Sequence, residues 1–206
     1  ATDSGGSTFE QPPEGTHLAR CYKLIDLGTQ LRDFQGDVKK THQFILGWEL
    51  PNELMQTGEY KGQPFAVSKF YTLSLHEKSN LRKDLKGWRG KDFSPEELKG
   101  FEISKLLGHA CMVSVVLNDR GRANVGSVMA LPKGMPVPDQ INPSFYLSLD
   151  PEEFNQEAFD TLSDKMKALI TPSDEYKELM NPPAPKNTPI VGGGSSSEFP
   201  DDDIPF

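Results

Sequence analysis

Lys78, Arg82, Lys86 and Arg89 fall within an arc of about 80° when the chain is wound at 100° per residue, which would gather four positive charges along one border of a helix. Upstream, Phe44 and Trp48 share one side of an apolar run, and Phe70 and Tyr71 follow directly on Lys69. Aromatic faces beside ammonium and guanidinium groups suit an unpaired nucleic-acid strand, because each stacked base gains roughly 1–3 kcal/mol while the cations track the phosphates. Stacking accepts any base, so binding through these nine side chains is expected to tolerate any sequence and to weaken with salt. The same residues also have ordinary uses: aromatic residues on strands commonly fill a core, and a lysine-rich helix face can be merely solvated.

No catalytic constellation competes with this reading. His17, His42, His76 and His109 have no partner at helical metal-ligand spacing, and no H-E-x-x-H, G-x-S-x-G, phosphate-loop or G-x-G-x-x-G pattern occurs. Gly192–Gly194 belongs to a Gly/Ser run, where glycine means flexibility. Asp201–Asp203 lacks the supporting ligands that a hard cation needs. Cys21 and Cys111 stand far apart without a C-x-x-C and read as small buried hydrophobes. The expectation is a binding protein rather than an enzyme, with no cofactor and no metal.

The formal net charge of -8 argues against a nucleic-acid partner until it is divided along the chain. Residues 1–150 hold 18 basic and 18 acidic side chains, whereas residues 151–206 hold 4 and 12, so the whole excess lies in the last quarter. Within residues 61–91, eight basic residues stand against Glu77 and Asp84 alone. A basic region and an acidic arm are therefore expected to be separate.

The elements that must position these groups follow from periodicity. Residues 18–31, 41–51 and 65–75 are rich in β-branched and aromatic side chains and are separated by polar, glycine-bearing turns, as three strands require. The period then changes: Ser74-Leu75-His76-Glu77 has the form of a capping box, and Leu81, Leu85 and Trp88 follow at helical spacing. Ser94-Pro95-Glu96-Glu97 starts a second short helical piece ending near Gly100. Two more β-branched runs flank Asp119-Arg120-Gly121-Arg122, a hairpin signal. Beyond Asp150-Pro151-Glu152-Glu153, the residues Phe154, Ala158, Leu162, Met166 and Leu169 form one apolar stripe, predicting a last helix covered by the barrel or by another subunit of a homo-oligomer.

The order β-β-β-α-β-β predicts a mainly β fold: a five-stranded, partly open OB-fold-like barrel with an added C-terminal helix and disordered tails. Residues 1–16 read as a mobile leader, 17–180 as the binding domain, 181–200 as a Pro/Gly/Ser linker, and 201–206 as an acidic tip. No apolar run long enough for a membrane span and no signal-peptide pattern is present, so a soluble, cytoplasmic protein is expected.

The terminal stretch DDDIPF, carried on that linker and preceded by EFP, resembles the C-terminal tip of bacterial single-stranded DNA-binding proteins. The resemblance implies that Phe206 enters an apolar pocket of a replication, recombination or repair enzyme, with its carboxylate at a basic rim. Ile204 and Pro205 would add apolar contact, and Asp201, Asp202 and Asp203 would be steered by surrounding cations. The blocks CYKLIDLGTQ, ILGWELP, YTLSLHEKSNLRKDLKGWRG and LPKG resemble instead a family of tailed-bacteriophage proteins associated with single-stranded DNA. Together they imply a phage-encoded protein that coats single-stranded DNA in the host cytoplasm. The competing expectations are an adaptor or decoy that uses the tip without binding DNA, and a phage structural protein with an incidental acidic end.

Overall fold

The computed structural model describes residues 10–34 and 36–181. Long strands β1 (Gly15–Phe34) and β2 (Asp37–Leu54) form an antiparallel ribbon, with β3 (Pro64–Thr72) on its outer edge. After helix α1 (Asn80–Arg89) and two 3-10 turns come β4 (Ala110–Leu117), β5 (Ala123–Met129) and the short β6 (Phe145–Leu147). The sheet runs β3-β2-β1-β4-β5, with β6 parallel to β1. β1 can serve two partners on one edge because it bends at bulges between Cys21 and Lys23 and between Asp26 and Gly28: β4 pairs with its first part and β6 with Lys23–Ile25.

The expected succession of three strands, a helix and two strands is present as β1-β2-β3-α1-β4-β5, and the hairpin after Leu117 turns at Gly121, which has φ +67°. The sheet is not closed, because β3 and β5 share no backbone pairing. Helix α1 packs against both strands and carries the link between them. Its Asp84 is 5% exposed and accepts hydrogen bonds from Lys69 Nζ (2.7 Å) and the Tyr71 hydroxyl (2.8 Å), while Lys69 Nζ also donates to the Gly126 carbonyl of β5 at 3.3 Å. Leu81, Leu85 and Trp88 keep the predicted apolar stripe, and Trp88 Nε1 donates to the Ala110 carbonyl. Gly87 allows the helix to touch β5: a Cβ there would stand 2.5 Å from the Val128 carbonyl oxygen.

Two cores lie on opposite faces of the sheet. Cys21, Leu24, Phe44, Leu46, Trp48, Leu50, Val67 and Tyr71 fill the inner one with α1. Ile25, Leu27, Ile45, Leu147, Leu149, Phe159 and Ile170 form the second, beneath the C-terminal helices. Residues 43–50 of β2 are therefore buried on both faces. Both cysteines are fully buried and unbridged, with the Cys21 thiol pushed up to about 12 by burial.

Three expectations are corrected. Helix α1 begins five residues later than predicted, capped by Ser79, whose hydroxyl accepts from Arg82 N; Ser74 makes a local turn with His76 instead. The single last helix is three: α2 (Gln156–Asp160), α3 (Asp164–Ile170) and α4 (Asp174–Met180). Asn155, Ser163 and Ser173 each accept a hydrogen bond from a backbone N–H three residues on, and so restart the helix. Phe154, Ala158, Leu162 and Met166 pack on the second core as expected, but Leu169 is exposed and Ile170 takes its place. The leader is tied down from Glu10 onward: the Glu10 carboxylate accepts from Gln56 N and Thr57 N, Gln11 from Ala123 N, and Glu14 from Leu117 N. Residues 1–9 and the linker and tip from 182 onward lie outside the described residues.

Helix α4 is clasped to the ribbon by charge. Glu175 accepts from Thr29 N and Oγ1, Lys40 pairs with Asp174 at 2.7 Å, and His42 sits between Asp26 (2.6 Å) and Glu175 (3.3 Å). Gly28, at φ +66°, makes room, since a Cβ there would lie 2.6 Å from the Ser173 side chain.

Asp84→Ala should cost about 3–5 kcal/mol in urea unfolding, the range for removing one partner of a buried ion pair. The hydrogen bond to Asp26 raises the His42 pKa against partial burial, helped by the Asp26 and Glu175 charges. The stabilisation from protonated His42 is complete below about pH 6.5 and is lost as pH rises through the raised folded value. The urea midpoint should therefore fall over that window, and His42→Gln should flatten the fall.

Candidate nucleic-acid interface

The register of β2 with β3 separates the predicted aromatic residues onto two faces. Phe44 opposes Tyr71 and Trp48 opposes Val67, which turns Phe44, Trp48 and Tyr71 inward, at 3%, 0% and 3% exposure. Phe44 stacks on Tyr71 with ring centroids 5.7 Å apart, and Trp48 packs on Trp88. These three are core residues and present no face to a base. Phe70 opposes Ile45, points to the outer face, and is 50% exposed.

The predicted cationic ridge is largely neutralised. Arg82 and Lys86 both pair with Asp92, at 3.1 and 3.0 Å. Lys86, the Phe93 N–H and Arg82 hold the Asp92 carboxyl well below the usual carboxylate range. Arg89 pairs with Glu97 and lies over the Phe93 ring at 4.3 Å. Glu97 in turn caps the 3-10 turn at Ser94, with Ser94 N donating to its carboxylate and Glu97 N to the Ser94 hydroxyl, the reciprocal box that the sequence predicted. Lys69 belongs to the seam. Of the cations proposed for binding, Lys78 alone is exposed with no carboxylate partner among the described residues. Asp92 and Glu97 lie just past the segment whose charges define the basic region, and the fold returns them to it.

Residues that sequence reasoning missed form a better site. On the outer face of β1-β2-β3 runs a groove of about 470 Å³, floored by Gly47, Ala66 and Ser68 and flanked by Tyr22, Lys23, Phe70 and Phe145, with Thr161–Ser163 and Met166 forming a wall. Lys23 Nζ lies 5.3 Å from the Tyr22 ring centroid and 5.9 Å from that of Phe145. Burial lowers its basicity, which an arriving anion would restore. Burial, then the charges of Glu49 and Cys21, push the Tyr22 hydroxyl up. Gly47 keeps the floor low, since a Cβ there would sit 3.0 Å from the Lys23 Cβ. The bulge between Cys21 and Lys23 gives both Tyr22 and Lys23 to the groove. The sequence signal for it is the core pair Cys21 and Leu24, three residues apart, which strict alternation cannot produce.

The loop that leads to Phe145 is held by a buried acceptor. Glu49, 0% exposed, accepts from Ile141 N, Asn142 N and Asn142 Nδ2, each at 2.7 Å, and so pins the loop that leads into β6.

Charge divides the surface. The outer-face groove has no carboxylate in its lining. Nor does a neighbouring cleft of about 520 Å³ around Phe70, Thr72, Ser74, His76 and Lys78. By contrast, two adjoining cavities around His42 are lined by Asp26, Glu102, Asp150, Glu153, Glu175 and Glu178, a trough that repels phosphate. Among the described residues no cluster of His, Cys, Asp or Glu is placed to hold a metal ion, and no helix is long and apolar enough to cross a membrane.

No protein-family model matches the chain, and no curated protein matches it.

The face assignment predicts opposite costs for two aromatic truncations. Trp48→Ala should destabilise by about 3–5 kcal/mol, whereas Phe70→Ala should stay within about 0.5 kcal/mol, both measured by urea unfolding.

Proposed function

We propose that this chain is a non-enzymatic single-stranded DNA-binding protein that coats the strand with little sequence preference, and that the outer face of β1-β2-β3 is its binding surface. The carrying observation is the acid-free groove in which Tyr22 and Phe145 flank Lys23 and half-exposed Phe70 lines another part of the wall. Rings give bases a stacking platform, the ammonium meets a phosphate, and the small floor residues let a strand lie close to the sheet. On this reading the five strands and α1 form an OB-type arrangement whose β3–β5 seam is held by side chains rather than backbone pairing. The tip Asp201–Phe206, outside the described residues, recruits replication, recombination and repair enzymes, as its resemblance to the bacterial tip implies. Such a protein works in the cytoplasm, that of the host if it is phage-encoded.

A second reading has one observation in its favour. The internal pairing of Arg82, Lys86 and Arg89 leaves α1 with less free charge than a strongly anion-binding ridge would carry. On that reading the chain is an adaptor or decoy that competes for host enzymes through DDDIPF and binds no DNA.

Fluorescence anisotropy of labelled oligo-dT at two salt concentrations separates the two. Coating predicts salt-weakened binding, a loss of roughly 5- to 150-fold for Phe70→Ala, equivalent to about 1–3 kcal/mol of stacking, and a salt slope smaller by about 0.7 for Lys23→Gln. Absence of salt-dependent binding by the intact protein would overturn the coating reading in favour of the decoy.

A further inference from the structure

We infer that the nucleic-acid path does not stop at the β3 edge but turns over Phe70 and continues along the neighbouring cleft to Lys78, where a backbone phosphate meets the free ammonium. This inference rests on the DNA-binding reading of the outer face and extends it around the sheet edge. β3 is an edge strand, and half-exposed Phe70 lines both the outer-face groove and the cleft at the entry to α1. The two spaces, about 470 and 520 Å³, thus share Phe70 as an aromatic wall at the strand edge.

The second space has the chemistry that a sugar-phosphate backbone needs. No carboxylate lines it; the exposed Glu77 is not part of its lining. Thr72, Ser74 and Asn80 supply hydroxyl and amide groups, and Lys78 supplies charge. The first turn of α1 holds no acidic residue to oppose a phosphate there. Lys78 also differs from the other cations expected on this segment, since Arg82, Lys86 and Arg89 are engaged with Asp92 and Glu97. A strand that crosses the outer face and leaves over Phe70 reaches Lys78 next. A strand short enough to sit within the groove does not. The outer-face groove and the cleft are therefore two successive segments of one site, with Phe70 contacted from both.

The test is anisotropy with the full chain on oligo-dT of graded length, spanning about 4 to 16 nucleotides, the range of site sizes on such domains. Lys78→Gln should leave the shortest ligand's affinity and salt slope unchanged, while lowering affinity and reducing the salt slope by about 0.7 on the longest. Phe70→Ala should weaken both lengths. Lys83→Gln, an exposed α1 lysine outside both spaces, should change neither. If Lys78→Gln has no effect at any length while Phe70→Ala still weakens binding, the path ends at β3 and this inference is wrong while the outer-face reading stands. Equal losses from Lys78→Gln and Lys83→Gln would also overturn it, as a diffuse charge effect. Failure of the unaltered protein to bind at any length would remove the DNA-binding reading itself.

Discussion

Asp84 accepts from an ammonium and a phenol at the one place where the sheet fails to close. Lys69 and Tyr71 bring that carboxylate to β3, Lys69 reaches on to Gly126 of β5, and α1 supplies the acid. A sheet edge left unpaired is a template for aggregation, and here it is managed with a helix laid across the gap and a charge buried beneath it. Gly87 allows the helix to lie close enough, because any side chain there would meet the Val128 carbonyl. The inner core, the burial of Phe44, Trp48 and Tyr71, and the outward presentation of Phe70 all depend on β3 being held in this register.

Much of the architecture was legible in the sequence, because periodicity reports which segments must bury an apolar face. The three opening strands, the α1 stripe of Leu81, Leu85 and Trp88, the Ser94–Glu97 capping box and the turn at Gly121 all carry local signals that the fold keeps. What periodicity does not report is which face is buried when both are covered. Residues 43–50 of β2 are enclosed on both sides, so the aromatic residues there give no hint of their orientation. The choice between Phe44 and Phe70 was decided by strand register, a long-range property.

The candidate site was less legible for two physical reasons. A bulge in β1 breaks the alternation of two and delivers Tyr22 and Lys23 to the groove together, where a regular strand would have separated them. The charge count along residues 61–91 could not include Asp92 and Glu97, which follow directly and fold back onto Arg82, Lys86 and Arg89. Tertiary pairing thus converts a local excess of positive charge into a mostly neutral helix and leaves Lys78 as the free cation of the predicted set. A group of acidic side chains is gathered around His42, and none of them lines the groove or the cleft that Phe70 joins.

The central claim is that nucleic acid lies on the outer face of β1-β2-β3. Photo-crosslinking the full chain to an oligonucleotide carrying 5-iodouracil, followed by mass spectrometry of the adducted peptides, tests it most directly. The account predicts adducts at Phe70, Tyr22 or Phe145. Adducts that avoid these three and fall on His42 or Tyr146 in the acidic trough would contradict it.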